Sequence, residues 1–203
     1  GAGFDAPVQR RGSPEAAGEP AARRYLEVVR GTDAYAAGVS PRLSLARDLV
    51  SPENHLTARV MVNRMWRWIF GQGIVGTVDN FGVMGEKPTH PELLDHLATY
   101  FVEQGWSIKE LVRYMVTTQA YRTVSAASEE AQRRDPANRL LSHMPLQRLR
   151  AEAVRDSLLA VSGQLNPQMY GYTGPSDFGN GSGPANQRRG IYQYIKREAQ
   201  NHL

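Results

Sequence analysis

The stretch from Asn54 to His90 constrains the fold of this 203-residue chain more than any other part of it. Asn54 is a residue type that caps helices, and the dense apolar run after it predicts a helix from Leu56 to Phe70. Five glycines follow between positions 71 and 85. Glycine adopts backbone conformations that other residues avoid, so this pattern predicts a shaped loop after the helix and not a flexible linker.

The predicted central helix is apolar on most of its circumference. One broad arc of the helical wheel holds Met61, Val62, Met65, Trp68 and Ile69. The opposite arc interleaves apolar residues with Arg59, Asn63, Arg64 and Arg67. A helix of this composition is expected to be covered on most sides. Its arginines then need carboxylates or carbonyls around them, because a partly buried guanidinium is costly without partners.

Helices are predicted on both sides of this stretch. Apolar spacing predicts a short helix over 42–50, which the pair Ser51-Pro52 ends. Thr89 with Glu92 and Ser107 with Glu110 stand at the spacing of capping boxes. They predict a helical hairpin, with one helix running to about position 104 and the next ending near position 121.

The C-terminal third has a less regular pattern. Residues 124–134 are weakly helical, and Asp135-Pro136 predicts a further short helix. A strong helix is predicted from Leu146 to Ser162, with Gly163 just past its end. The side chains expected to be buried on it are Leu149, Ala153, Val154, Leu158 and Val161.

These elements predict a mainly α fold: an irregular multi-helix domain with long Gly/Pro-rich loops. Residues 1–40 are rich in Ala, Gly, Pro and Arg and are interpreted as an extended N-terminal arm. Residues 41–203 are interpreted as a single helical domain, with an irregular loop at 163–190. Strand-favouring residue types predict at most a small β element near residues 191–195, paired with the arm or with a missing continuation.

Composition excludes several classes of function. The chain has no cysteine, which rules out disulfides, thiolate nucleophiles and cysteine-bound zinc within it. A net charge of +4, spread along the sequence, is too mild to predict a nucleic-acid partner. No apolar run is long enough to span a membrane, and the N-terminal residues lack the apolar core of a signal peptide.

Several sequence blocks resemble the DUF1553 family, also called PSD1, of planctomycetes and verrucomicrobia. The matching text is SPENHLTARVMVNRMWRWIFGQGIV, DNFGVMGEKPTHPELLDHLATYFVEQGWSIKELVRYMVTTQAYR, DPANRLL and RLRAEAVRDSLLAVSGQL, which together cover roughly residues 43–165. RRGIYQYIKRE is similar to the family's next block. The resemblance implies that the domain continues beyond this chain, which would lack its C-terminal end.

The resemblance also implies a setting for the chain. Such domains lie at the C-terminal end of large, exported or periplasmic proteins that carry a DUF1549-like domain and often a cytochrome c-like domain. The family supplies no catalytic residues to carry over. Any haem would belong to the cytochrome-like domain, because C-x-x-C-H is absent here, so no cofactor is expected in this chain. The first functional hypothesis is therefore a non-catalytic interaction module that docks on companion domains.

The second hypothesis is that the chain binds or processes a polysaccharide or sulfated sugar. Arginine forks suit sulfate and carboxylate groups, and tryptophan faces suit sugar rings. The ligand-binding candidates are Arg59, Asn63, Arg64, Arg67, Asp79, Glu86 and His90. The alternative interpretation, which we favour, is that the arginines tie the glycine loop to the helix.

Two further clusters carry weaker signals. Glu92 and His96 lie one turn apart, beside His90 and Asp95, but no third ligand has a familiar spacing, so no metal site is predicted. Arg148, Glu152, Arg155 and Asp156 are interpreted as structural ion pairs along one helix face, with a buried acid–base cluster as the alternative. G-x-S-x-G, P-loop and H-E-x-x-H motifs are all absent from the sequence.

Overall fold

The structure is a computed structural model that describes residues 4–31, 33–36, 38–171 and 187–193. The chain forms two compact units, residues 1–145 and 146–203. The predicted mainly helical class is confirmed. None of the helices in the described ranges has the length and apolar character needed to cross a membrane.

The N-terminal arm contains a small antiparallel pair of strands, β1 (Pro7–Gln9) and β2 (Ala17–Pro20), followed by the one-turn helix α1 (Glu27–Arg30). The sequence predicted at most a small β element near residues 191–195, and for residues 191–193, which the structure describes, this prediction was wrong. Gly190–Tyr192 is a 3-10 turn, and residues 194 and 195 lie outside the described ranges. Strand-favouring residue types become a strand only where a partner edge is available, and sequence does not reveal that edge.

The predicted helices around Asn54 are confirmed as α2 (Pro41–Leu49) and α3 (His55–Phe70). The Asn54 side chain caps α3 by accepting hydrogen bonds from the Leu56 and Thr57 amides. Its amide nitrogen also donates to the Tyr25 hydroxyl at 2.8 Å and to the Asp48 carbonyl at 3.1 Å. One buried side chain therefore joins the arm to the junction of two helices.

The predicted helical hairpin is confirmed as α4 (Pro91–Glu103) and α5 (Ile108–Thr117). Ser107 caps α5 by accepting a hydrogen bond from the Glu110 amide. The capping box at Thr89 was wrong, because the N-cap of α4 is His90 and makes no side-chain cap. The Thr89 hydroxyl bonds instead to the Ile74 carbonyl in the preceding loop, 3.2 Å away. The Ile74 carbonyl thus takes the Thr89 hydroxyl away from the cap, and the spacing of residues along the sequence does not reveal this contact.

The core of the first unit lies where α3, α4 and α5 pack together. Its buried residues are Ala58, Val62, Trp66, Phe70, Ile74, Val75, Leu94, Leu97, Ala98, Phe101, Leu111 and Met115. Trp68, predicted to lie on the apolar arc, is 59% exposed. Of the predicted arc only Val62 is buried, and the face of α3 that enters the core runs through Val62, Trp66 and Phe70.

Helix α6 (Glu129–Arg134) lies in the stretch predicted to be weakly helical. The helix predicted to begin at Asp135-Pro136 was wrong. The Asp135 carboxylate accepts hydrogen bonds from the Arg139 and Leu140 amides and folds this segment into a turn. These two donors hold the pKa of Asp135 below its ordinary value, because they bind only the charged form well.

In the second unit, helix α7 (Ala151–Val161) begins at Ala151 and not at Leu146, but ends as predicted before Gly163, which has a positive φ of 72°. The predicted burial of its apolar side chains was wrong. None of the residues of α7 is buried, and Leu158 and Val161 are 67% and 91% exposed. The sequence places an apolar face on the helix correctly, but burial requires a neighbour on that side.

Candidate functional site

Asn63 joins the middle of α3 to the glycine loop. Its side chain is fully buried, donates to the Val75 carbonyl at 3.0 Å and accepts from the Val75 amide at 2.9 Å. The backbone amide and carbonyl of the buried Val75 are thereby both satisfied by the one Asn63 side chain. The structure places this candidate ligand residue beneath the loop, where it orders the backbone.

Close packing explains why the loop uses glycine here. A Cβ at Gly73 would lie 2.9 Å from the Asn63 amide nitrogen, and a Cβ at Gly76 would collide with the Glu86 carboxylate. Glu86, another candidate, therefore lies against the loop backbone at Gly76. Its own amide donates to the Thr77 hydroxyl at 2.9 Å, so it closes the loop on itself.

A cleft of about 490 Å³ opens between the end of α3 and the glycine loop. We call it the loop cleft. Its lining residues are Arg67, Gly71, Gln72, Gly73, Gly76, Thr77, Val78, Asp79 and Asn80. Of the residues predicted from sequence, Arg67 and Asp79 line it. Within the described residues, Arg67 forms no ion pair, and its charge lies in the last turn of α3, where it complements the helix dipole.

The other two arginines of α3 are paired with carboxylates. Arg59 binds Asp95 of α4 at 2.7 Å and the His55 carbonyl at 2.8 Å, so it ties two helices together. Arg64 binds Asp79 of the loop at 3.0 Å. Its side chain is 48% exposed and that of Asp79 is 81% exposed, so solvent weakens this pair. Arg64 is not among the residues that line the cleft, but it is ion-paired with Asp79, which is.

The histidines lie in separate contacts. His90 Nδ1 lies 2.9 Å from the Thr89 hydroxyl, and His96 Nε2 lies 3.0 Å from the Tyr114 hydroxyl. His90 is not among the cleft-lining residues. Across the described ranges, no three His, Asp or Glu side chains are grouped closely enough to hold a metal ion.

The charged cluster of the second unit holds one chain segment in place. Arg155 Nη1 donates to the Arg188 carbonyl at 2.9 Å, and Asp156 accepts from the Gly190 amide at 2.7 Å. Glu152 packs so closely on Gly190 that a Cβ there would lie 2.9 Å from its own. Arg148, predicted to share this helix face, precedes α7 and is exposed.

Arg188 is a buried residue that the sequence reasoning missed. It is 6% exposed, and its guanidinium donates to the carbonyls of Gln168 and Tyr170 and packs over the Tyr192 ring at 4.5 Å. It lies in a segment read as irregular loop, and the sequence contains no signal that distinguishes it from Arg189. Its partners are backbone carbonyls, which every residue possesses.

Taken together, the loop cleft presents hydrogen-bond donors and acceptors on a fixed backbone. Arg67 and the amide groups of Gln72 and Asn80 can donate, while Asp79 and the side-chain carbonyls can accept. Such a surface can bind a hydroxyl-bearing ligand. No described group in it is arranged as a nucleophile beside a base, the pairing that covalent catalysis needs.

The fold and this site define a mainly helical domain with a glycine-shaped loop, built around α3 and the α4–α5 hairpin. The sequence model of the family described as "Protein of unknown function (DUF1553)", PSD1, matches residues 41–203. The chain therefore belongs to the DUF1553 family. Among curated proteins and among solved structures, none matches it.

Proposed function

We propose that the chain is a non-catalytic interaction module of a larger exported protein and that it docks on companion domains of the same polypeptide. The observation that carries this proposal is the orientation of α7. Arg155 and Asp156 of α7 bind backbone groups of their own unit, while Val154, Leu158 and Val161 are exposed to solvent. An ordinary surface helix has the reverse arrangement.

The two faces of α7 follow from its spacing. Val154, Leu158 and Val161 lie at i, i+4 and i+7, so they form one stripe, and they are 43%, 67% and 91% exposed. We call this set the α7 stripe. The charged residues that hold residues 188–190 project from the opposite side of the helix, about half a turn away.

The free energy available from burying these side chains favours a partner that covers the α7 stripe. Burying a side chain of this size contributes about 1.5–3 kcal/mol, so covering the stripe contributes several kcal/mol, a large fraction of a typical domain stability. A companion domain is a suitable occupant because a linked domain is present at high effective concentration. A DUF1549-like or cytochrome c-like domain would fill this role.

Hydrogen exchange tests the proposal. We expect the backbone amides of α7 to exchange more slowly in the larger natural polypeptide of this proposal than in the 203-residue chain. Leu158→Asp should remove that difference, because it places a charge in the interface. Ala160→Asp adds the same charge off the stripe and should preserve it. Equal exchange of α7 in the two proteins would refute docking through this helix.

A second candidate function is binding or processing of a polysaccharide or sulfated sugar, in cooperation with a cytochrome c-like domain. The loop cleft favours it, since Arg67 is not ion-paired within the described residues and polar groups line the walls. Trp68, on the same turn of α3, is 59% exposed and offers a ring surface.

Calorimetry with neutral and sulfated oligosaccharides tests this second function. Sulfated sugar should bind the unmodified chain, binding should be lost in Arg67→Ala, and it should persist in Arg113→Ala, an exposed arginine of α5. Equal loss in both variants would indicate general charge attraction and not a site. The absence of heat from the unmodified protein would contradict the function itself.

A further inference from the structure

A second cleft of the first unit lies between the N-terminal arm and the junction of α2 with α3. Its volume is about 440 Å³, which falls within the range of roughly 300–1,000 Å³ found for ligand pockets in proteins. The arm contributes Tyr25 and Tyr35 to its lining, and the helix junction contributes Asp48 and Asn54. We call this cleft the arm pocket. Among the residues that the structure describes, it shares no lining residue with the loop cleft.

Two buried polar side chains hold the two tyrosines of the arm pocket in place. Asp48 is 5% exposed and accepts a hydrogen bond from the Tyr35 hydroxyl at 2.7 Å. Asn54 is 4% exposed and donates to the Tyr25 hydroxyl at 2.8 Å. Both tyrosines are half-buried, so their hydroxyls are positioned before a ligand arrives. Such preorganisation reduces the conformational entropy that binding costs.

The two tyrosine hydroxyls offer opposite hydrogen-bonding groups. The Tyr25 hydroxyl accepts from Asn54 and, within the described part of the chain, donates to no acceptor, so its proton is available to a ligand. The Tyr35 hydroxyl donates its proton to Asp48, so its oxygen is available as an acceptor. A ligand that contacts both must accept a hydrogen bond at one position and donate one at another. Hydroxyl groups do both, and a sugar carries several of them on one ring.

The charges around the arm pocket favour a neutral ligand. The carboxylate of Asp48 repels an anion that approaches the floor. Arg47 and Glu53 also line the pocket, are exposed and carry opposite charges, so neither sign dominates the walls. Val29 and the tyrosine rings add apolar surface, against which the C–H face of a sugar ring packs.

We propose that the arm pocket binds a small neutral sugar. The arm supplies the two hydroxyls, and the buried residues of the helix junction orient them. The arm precedes residue 41, where the match to the DUF1553 model begins, so both tyrosines lie outside the matched range. This site is separate from the loop cleft, where Arg67 suits a sulfated sugar, and it does not depend on docking through α7.

A chemical-shift titration by proton–nitrogen NMR tests the inference on the 203-residue chain. Glucose, galactose and xylose are the neutral probes, sulfated glucose is the anionic probe and tetramethylammonium is the cationic probe. We expect at least one neutral sugar to shift the backbone amides of Tyr25 and Asn54. The amides of Gln72 and Thr77, which line the loop cleft, should not move with that sugar.

Replacing Tyr25 with phenylalanine removes the available proton. Asn54 keeps its hydrogen bonds to the carbonyls of Asp48 and Leu49, so the helix junction should be retained. We expect the affinity for the sugar to fall roughly two- to tenfold, the effect of losing one hydrogen bond. Tyr121→Phe is the matched control, because this tyrosine is 39% exposed and does not line the arm pocket, and its affinity should be unchanged.

A second variant keeps the test decisive if Tyr25→Phe alters the fold. Ala36 lines the arm pocket and is exposed, so Ala36→Trp fills the pocket without changing the core. This variant should lose sugar binding while circular dichroism shows unchanged helix content.

Four results would overturn the inference. The first is the absence of shifts at the pocket amides with all three neutral sugars at their highest soluble concentrations. The second is equal sugar affinity in well-folded Tyr25→Phe and Tyr121→Phe, and the third is full binding by Ala36→Trp. The fourth is tighter binding of tetramethylammonium or sulfated glucose than of every neutral sugar, which would make the pocket an ion site. Shifts confined to Gln72 and Thr77 count as the first result and would assign the sugar to the loop cleft.

Discussion

Replacing Asn63 with alanine tests whether the glycine loop is held by one side chain. Asn63 has no exposed surface, and Val75, its partner, is only 2% exposed. The substitution removes both hydrogen bonds and leaves the Val75 amide and carbonyl without partners in a place that water does not reach. Because each unsatisfied buried group costs about 1–3 kcal/mol, we expect the free energy of unfolding to fall by roughly 2–5 kcal/mol.

Urea unfolding followed by tryptophan fluorescence measures this loss. All three tryptophans, Trp66, Trp68 and Trp106, lie in the first unit, so the signal reports the unit that contains Asn63. A loss of this size lowers the urea midpoint by roughly 1–3 M. Arg64→Ala, at the next position on α3, is the matched control, because its exposed ion pair with Asp79 contributes about 1 kcal/mol or less.

The reasoning fails if Asn63→Ala costs less than about 1 kcal/mol, or no more than Arg64→Ala, since the loop would then be held by other contacts. A large loss with a native-like loop, shown by unchanged hydrogen exchange at Val75, would also contradict it. The stability would then have come from filling space and not from the two hydrogen bonds.

Three further predictions concern the glycine loop, the N-cap of α3 and the turn at Asp135. Gly85→Ala should destabilise the first unit by about 1–3 kcal/mol in urea melts, through collision with a carbonyl, whereas Gly82→Ala, whose Cβ has 3.3 Å to its nearest neighbour, should cost less. Asn54→Asp keeps the cap of α3 but loses donation to the Tyr25 hydroxyl and to the carbonyls of Asp48 and Leu49. A loss of about 1–3 kcal/mol in the free energy of unfolding is therefore expected, although exchanging one capping residue for another would by itself be neutral. The pKa of Asp135 is lowered by folding, so its carboxylate stabilises the fold above the ordinary aspartate pKa, and this contribution is lost as pH falls through the lowered value. An NMR titration should place its midpoint below that of an unfolded peptide, and Asp135→Asn should flatten the acid limb of stability.

Part of the candidate site could be predicted from sequence. The helix, the glycine loop and the proximity of Arg64 to Asp79 follow from a short separation along the chain and from local capping signals. The burial of Asn63 could not be predicted, because an asparagine on a polar arc has the same pattern whether it meets solvent or a returning backbone. Its partner lies twelve residues away on a loop whose path depends on the core.

The division of α7 into faces illustrates a second limit. Periodicity correctly indicates that Val154, Leu158 and Val161 share one side of a helix. Periodicity does not say which side has a neighbour, and here the residues held by contacts are the charged ones. The expectation that apolar means buried fails where the described residues of the unit provide no neighbour for the apolar face.

The sequence alone determined the elements whose signals are local: the N-caps at Asn54 and Ser107, the glycine after α7, and the helices α2 to α5. Tertiary structure alone decided which face of α3 enters the core, that Asn63 binds Val75, that Thr89 leaves its cap for the loop, and that the strands form in the arm. The physical reason is that caps and turns are satisfied by groups a few bonds away. A buried polar group or a strand edge is satisfied by whatever the folded chain brings to it.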